Sequence, residues 1–363
     1  MQATQPFLVY RDRIGVASEI EFLRRQYIGF TRLHPVWTGR TLLTDAPLIG
    51  HHLLRLGGSS PLGPIHRFLY RHLGKLPPIA VPGLAPVLHA QFARGGALAL
   101  PLARALGLRM VVTLHGGDIS KQKNWHRTVL AQRWPALLRQ TERFICVSSA
   151  VAETAASRGV PSTKAIVLPI GVEIACKPPE RRPAAHLFVG RFVEKKGIAV
   201  LADAIRQLRA QGDQTPLVCV GDGPLRPLLE TLARETPGIT LTGWLSPEAV
   251  RTRMTQALCL VVPSVVARDG DAEGLPSVIP EAMAQACPVI GSNQGGIADA
   301  VRHDQTGLLI PAGDAAALAA AMHRIADETA FRDSMGLAGY ALATTQLNAR
   351  IQSAKLEILL LSA

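Results

Sequence analysis

A chain of 363 residues suits two domains of about 150–200 residues each, and 48% apolar with 18% charged residues describes a folded protein. Its five cysteines stand singly, with no C-x-x-C, which argues against a zinc site or disulfide framework and fits a reducing cytosol. The formal charge of +12 divides unevenly: residues 1–180 hold 22 Lys and Arg against 9 Asp and Glu, a net of +13, whereas residues 181–363 hold 17 against 18. The first half is therefore expected to meet a polyanion, either anionic lipid head groups, a lipid pyrophosphate or nucleic acid.

Arg11, Asp12 and Arg13 arrive before any long apolar stretch, so no secretory signal is expected. In chain order, the first half offers strands at Phe7–Tyr10, Val87–His89, Met110–Leu114 and Arg143–Val147, and helices at Gly96–Leu106 and Ser149–Arg158. Two stretches, Glu21–Arg32 and His51–Lys75, mix Leu, Phe, Tyr and Ile with Arg and His, a composition suited to an interfacial surface. The uncharged run Leu76–Ala93 contains four prolines with His89 and Gln91, which argues against a membrane-spanning helix. Lys177 to Pro183, rich in proline and charge, is the expected linker.

Beyond it, His186–Gly190 is a short apolar run closed by glycine, and Ile198–Ala210 has helical spacing through Leu201, Ile205 and Leu208. Pro216–Gly221 repeats the strand-then-glycine pattern before a helix at Pro224–Ala233. Further strands are expected at Ile239–Leu241, Leu258–Val262 and Pro288–Ile290. Strands alternating with helices predict an α/β chain with doubly wound parallel sheets, whose ligands bind at the C-terminal ends of the strands.

Three segments carry chemistry. Gly190-Arg-Phe-Val-Glu-Lys-Lys-Gly197 follows a strand, and from it Arg191 and Lys196 are expected to converge on a diphosphate. Val220-Gly-Asp-Gly-Pro-Leu-Arg226 begins like a dinucleotide fingerprint, but Arg226 replaces its third glycine and no acidic residue follows at the ribose-binding distance. As a cofactor motif it fails; as a glycine loop closing a nucleotide cleft, through Gly221 and Gly223, it stands. Glu273-Gly-Leu-Pro-Ser-Val-Ile-Pro-Glu281 sets two carboxylates around the start of a helix, with Gly274 allowing backbone N–H groups close to a ligand. Asp269-Gly-Asp271 spells D-x-D, a pattern that elsewhere holds a metal-bound nucleotide sugar; no metal site is expected here.

The segment from Glu273 to Glu281 resembles the E-x7-E motif of the retaining glycosyltransferases of family four. Its neighbours keep the order of that family: G-R-x-x-x-K-K-G at 190–197, V-G-D-G-P at 220–224, T-G-W-L-S at 242–246 and E-A-M-A at 281–284. Asn293–Asp299 resembles the glycine-pair loop that follows, with Asp299 where Glu is more usual, and Gly307–Pro311 resembles a late strand. In the first half, Thr113-Leu-His-Gly-Gly-Asp118, Val147-Ser-Ser149 and Pro169–Glu173 match more loosely. The resemblance implies the GT-B fold, two facing Rossmann-like domains with a deep interdomain cleft. The expected division is an acceptor domain over 1–176, the linker 177–183, a donor domain over 184–345, and a helix at 346–363 that packs back on the first domain.

The resemblance also implies roles. Arg191 and Lys196 neutralise the departing nucleotide diphosphate, and Glu273 holds hydroxyls of the transferred sugar with the N–H groups of Gly274 and Leu275. Glu281 binds the ribose. His115 contacts donor sugar or phosphate, Gly15 lies near phosphate or acceptor, and Gly190, Pro276, Gly243 and Leu245 line the donor site. The expected reaction moves a hexose from a UDP- or GDP-linked donor to a hydroxyl, with retention and with no cofactor. The expected acceptor is a lipid-linked oligosaccharide or saccharide in surface polysaccharide assembly, at the inner face of the cytoplasmic membrane. The alternatives are a GT-B relative with other chemistry, a nucleotide-sugar epimerase or phosphorylase, and a basic nucleic-acid binder. The last lacks any aromatic RNA motif, helix-turn-helix or zinc finger.

Overall fold

Alternate residues of a strand point to opposite faces, so a strand buried on both faces carries apolar residues at nearly every position. A computed structural model of the chain, describing residues 4–43, 52–56, 63–73, 75 and 81–362, shows this pattern in two sheets. It divides into two units: Met1–Gly171 with Ala349–Ala363, and Val172–Asn348.

The first unit holds β1 (Gln5–Tyr10), β2 (Leu33–Gly39), β3 (His52–Arg55), β4 (Val87–Gln91), β5 (Arg109–Leu114), β6 (Thr141–Cys146) and β7 (Ala165–Val167). They pair in parallel in the order β3-β2-β1-β4-β5-β6-β7. The winding direction reverses between β1 and β4, which makes that point the natural ligand crevice of the sheet. Leu8, Leu88, Val112 and Phe144 pack on one face with helices Ala93–Ala105, Val129–Gln140 and Ser149–Ser157. Phe7, Val9, Val111 and Ile145 pack on the other with Leu23 and Tyr27 beside helix Ala17–Arg25, and with Leu356 and Leu360 of helix Ala349–Ser362. That last helix is fixed by charge as well as by packing. The buried Glu357 carboxylate accepts backbone N–H bonds from Thr31 at 3.0 Å, Arg32 at 2.7 Å and Leu33 at 2.8 Å.

The second unit holds β8 (Ala185–Val189), β9 (Leu217–Val220), β10 (Ile239–Gly243), β11 (Ala257–Val262), β12 (Val289–Ser292) and β13 (Gly307–Ile310). Their parallel order, β10-β9-β8-β11-β12-β13, puts a second reversal between β8 and β11. Leu201, Ile205 and Leu208 seat helix Ile198–Ala210 on Phe188, Cys219 and Val261. The helix expected from Pro224 starts later, at Arg226, because residues 223–225 are held in a turn by the Leu225 N–H bond to Phe192 O at 3.0 Å.

The segment 177–183 does not separate the units. Arg182 N–H bonds Thr255 O at 3.0 Å, Ala184 N–H bonds Gln256 O at 2.9 Å, and the Arg181 guanidinium bonds Ala257 O, so proline and charge here line the second unit. The chain changes unit at Gly171/Val172 and again at Asn348/Ala349, where Val172 N–H bonds Leu347 O at 2.7 Å. Parts of two sequence expectations, residues 51, 57–62 and 74 of His51–Lys75 and residues 76–80 of Leu76–Ala93, lie outside the described residues. Among the described residues no helix is long and apolar enough to cross a membrane.

Among the described residues, His89 in the first unit and His186 in the second have fully buried imidazoles. Burial pushes His89 down to about 3, and burial, with Arg209 adding to it and Asp213 opposing, pushes His186 down to about 4. In the unfolded chain both titrate near 6.5. The unfolded state therefore binds the extra proton between those limits, and stability complete above about pH 6.5 is lost as pH falls, by about 1.4 kcal/mol per unit at each site. Thermal unfolding midpoints should drop steadily between pH 6.5 and 4.5, and His186→Leu should flatten the drop for the second unit. An unchanged slope in that variant would show that His186 is not the group responsible.

Candidate active site

In the second unit the loop after β8 folds toward the segment after β11. The chain makes a single 3-10 turn over Glu194–Lys196, then Gly197 takes φ +69 and begins helix Ile198–Ala210. A Cβ on Gly197 would stand 1.8 Å from Pro263 O, so only glycine permits this approach. Val265 N–H bonds Lys195 O at 2.9 Å and completes the junction. The result is a cluster of four charges. Lys196 Nζ lies 3.2 Å and Lys195 Nζ 3.5 Å from Glu273 Oε1, and Lys195 Nζ also lies 3.3 Å from Asp271 Oδ1.

Glu273 is 9% exposed. Burial alone would raise its carboxyl, but the Lys196 and Lys195 ammonium groups outweigh burial and hold it below the ordinary carboxylate range. Lys195 is the mirror case: burial would lower its ammonium, and Glu273 and Asp271 hold it above the usual value. Glu273 Oε1 is buried between the two ammonium groups, which face it at 3.2 and 3.5 Å. Arg191, on the same loop, is exposed, and its side chain makes no ion pair or hydrogen bond among the described residues.

The neighbouring strand ends are sewn together by backbone. Gly190 N–H bonds Val220 O at 2.9 Å, Gly221 N–H bonds Gly243 O at 2.9 Å, and Gly223 N–H bonds Asp222 Oδ1 at 2.7 Å. Gly296 N–H bonds Gly274 O at 2.6 Å, so the loop after β12 braces the backbone next to Glu273. Leu275 and Leu245 pack against the core beneath, and Pro276 O accepts from Ile279 N at 3.0 Å at the start of helix Val278–Ala284. Glu281 sits half-buried in that helix's first turn. The helix is seven residues long and its N-cap, Ser277, makes no side-chain cap bond, so the expected helix-dipole contribution at this point is small.

In the first unit, Gly15 (φ +82) follows the two-residue strand Arg13–Ile14 and precedes helix Ala17–Arg25. His115 comes directly after β5. Asp118 Oδ1 accepts from its backbone N–H at 2.9 Å while Oδ2 accepts from Ala93 N–H at 2.7 Å, which also starts helix Ala93–Ala105 earlier than expected. The Phe92 ring lies 4.2 Å from the imidazole, and Phe92 holds φ +68, a conformation that costs a non-glycine residue about 1–3 kcal/mol and collects at functional sites. Burial, with Arg11 and His89 adding to it, pushes His115 down to about 3, so the ring is neutral.

Residues 184–328 match the family model described as glycosyl transferases group 1, and residues 44–175 the one described as glycosyltransferase family 4. The chain is 31% identical over 283 residues to the amylovoran biosynthesis glycosyltransferase AmsK of Erwinia amylovora, with 74% of this chain and 68% of that one covered. It is 30% identical over 343 residues to the putative colanic acid biosynthesis glycosyltransferase WcaL of Escherichia coli, covering 84% and 83%. The chain is a family 4 glycosyltransferase. Solved structures share its GT-B fold: Anabaena HepE in complex with UDP-glucose (TM-score 0.77, 16% identity, 99% and 100% covered) and the sucrose-phosphate synthase of Thermosynechococcus elongatus (TM-score 0.72, 22% identity, 98% of each).

Within this glycosyltransferase, Lys196 and Glu273, which belong to two separate sequence motifs, meet directly. Lys195 and Asp271 complete their cluster and were not singled out from sequence as partners. The doublet Lys195-Lys196 held the signal, but spacing alone does not say that both side chains turn to the same carboxylate. Asp271 of the D-x-D pattern faces Lys195, and its N–H bonds Asp269 Oδ1 at 3.0 Å. Among the described residues no group of three or more His, Cys, Asp and Glu gathers as metal ligands.

Proposed function

We propose that this glycosyltransferase moves a hexose from a UDP- or GDP-linked donor to an acceptor hydroxyl, with retention at the anomeric carbon and without a metal ion. The observation that carries this reading is the charge cluster at the β8/β11 reversal: an ionised, buried Glu273 held between Lys195 and Lys196, on a loop that also carries the uncommitted Arg191. Glu273 accepts hydroxyl protons of the sugar, and Arg191 and Lys196 oppose the negative charge that grows on the diphosphate as the glycosidic bond breaks. Glu281 takes the ribose, and Gly190, Gly221, Gly223 and Gly243 let the nucleotide approach backbone. A carboxylate held anionic between two ammonium groups is a weak nucleophile, so the acceptor oxygen attacks from the leaving-group face and its proton passes to the departing phosphate.

The acceptor is a lipid-linked saccharide of surface polysaccharide assembly. Support comes from the named pathways of AmsK and WcaL and from the basic excess of the first half. Helix Gly63–Leu73 adds a physical means of membrane contact. Tyr70 anchors it through a bond to Leu98 O at 2.5 Å, while Ile65 and Phe68 stand 54% and 61% exposed near Arg67. The enzyme would then work at the inner face of the cytoplasmic membrane.

A thermal-shift screen of UDP, GDP and their hexose conjugates should find one base that raises the midpoint, with turnover unchanged by EDTA and an axial or equatorial product linkage matching the donor. Activity abolished by EDTA and restored by a divalent cation would overturn the metal-independent assignment, and an inverted linkage the retaining one. Cosedimentation with anionic liposomes at low salt should fall when Phe68 is changed to Ser; equal binding would remove that helix from the membrane surface.

A further inference from the structure

His115 ends a run of hydrogen bonds threaded through the first unit. Its Nε2 lies 2.8 Å from Gln91 Oε1. Gln91 Nε2 donates to Gln26 Oε1 at 2.8 Å and to Tyr27 Oη at 2.7 Å. Tyr27 Oη lies 2.8 Å from His89 Nδ1, and His89 Nε2 lies 2.7 Å from Thr113 Oγ1. Tyr27, His89, Gln91 and Thr113 are all buried. So many polar groups in an apolar layer would be costly unless each were matched to a partner.

The matching has a direction. Gln91 spends both amide protons on Gln26 and Tyr27, so its carbonyl oxygen accepts from His115. Acceptance requires a proton on Nε2, and a neutral imidazole protonated there carries a bare lone pair on Nδ1. Farther along, Tyr27 gives its proton to His89 Nδ1, and His89 donates from Nε2 to Thr113. The ring of His115 is also held in place: Phe92 covers one face at 4.2 Å, Phe22 lies 5.4 Å away, and Asp118 fixes its backbone. His115 Nδ1 makes no hydrogen bond among the described residues.

We propose that Gln91 is a positioning residue that holds His115 as the Nε2–H tautomer, so that Nδ1 accepts a hydrogen bond from a substrate hydroxyl. A phosphate oxygen has no proton to offer and meets lone pair with lone pair. The sequence resemblance left sugar and phosphate both open as partners of His115; this tautomer selects the hydroxyl. The proposal rests on the reading of His115 as a substrate-facing residue, and its first test does not depend on activity.

The full chain labelled with 15N-histidine, with His115 assigned by its loss in His115→Asn, should show a protonated Nε2 and an unprotonated Nδ1 at neutral pH. UDP-hexose or acceptor should shift the Nδ1 resonance, and inorganic phosphate should not. A protonated Nδ1 overturns the proposal outright. Gln91→Met should mix the tautomers and lower kcat about tenfold, the worth of one misplaced hydrogen bond. Gln91→Glu, which still accepts from Nε2–H, should restore the single tautomer and bring an acid limb of the pH profile closer to neutrality. A rise in KM for the donor in His115→Ala assigns the hydroxyl to the donor sugar, and a rise for the acceptor assigns it there. Full activity of His115→Ala beside a confirmed tautomer would refute the substrate contact while leaving the role of Gln91 in place. Should Gln91→Met fail to fold, the wild-type spectrum decides.

Discussion

Lys196→Ala should lower kcat by about 100–1000-fold, the usual cost of removing one preorganised charge from a developing anion. The side chain is fixed by the close approach at Gly197 and by its ion pair to Glu273 at 3.2 Å, so its place is set before any donor arrives. Preorganisation of that kind is what makes a charge effective in the transition state. The ground state should suffer less, because Lys195 still lies 3.5 Å from Glu273 and keeps it ionised. Donor KM is therefore expected to change by much less than kcat. Arg191→Ala, which breaks no internal contact, should lose turnover with no loss of thermal stability. Steady-state rates at saturating donor would check both, and turnover within about threefold of wild type in Lys196→Ala would overturn the assignment.

The second large effect is on stability. Glu357→Ala should destabilise the first unit by about 2–5 kcal/mol, since it strips the acceptor from three backbone N–H groups around Thr31–Leu33 in one step. Those groups lead directly into β2, so the loss falls on a strand that pairs with both β1 and β3. Glu357→Gln should cost less, because one amide oxygen still accepts. Urea unfolding followed by a probe in each unit would separate the effect: the transition of the first unit moves and that of the second does not. Equal midpoints for Glu357→Ala and wild type would show that the carboxylate is not what holds the helix.

How much of this was legible in the sequence depended on distance along the chain. The 190–197 loop and Glu273–Glu281 could be read because each is a short segment whose glycines and charges sit next to a strand. The ion pair between Lys195 and Asp271 spans the β8/β11 reversal, and only the folded sheet order reveals it. His89 and Gln91 read as polar interruptions of an apolar run; in the fold they lie on one face of β4, and the alternation that buries Leu88 and Ala90 opposite them turns the interruption into a hydrogen-bonded line. Strand β2 went unread because His34, Pro35 and Thr38 break its apolar run, although it is buried almost throughout. The segment 177–183 misled for the opposite reason. Its composition suits an exposed linker, whereas the actual crossing at Gly171/Val172 has no compositional mark.

The placement of Ala349–Ser362 has a consequence for the order in which the protein is made. A ribosome delivers Thr31–Leu33 early and Glu357 only after the whole of Val172–Asn348 has been synthesised. The second unit can close on its own residues as they emerge, while the first must wait without the carboxylate that binds three of its amides and without Leu356 and Leu360 on the sheet face around Phe7 and Val9. The half of the chain translated first is thus completed last, and a gene fragment ending at Gly171 encodes an unfinished domain unless residues 349–362 are grafted back onto it.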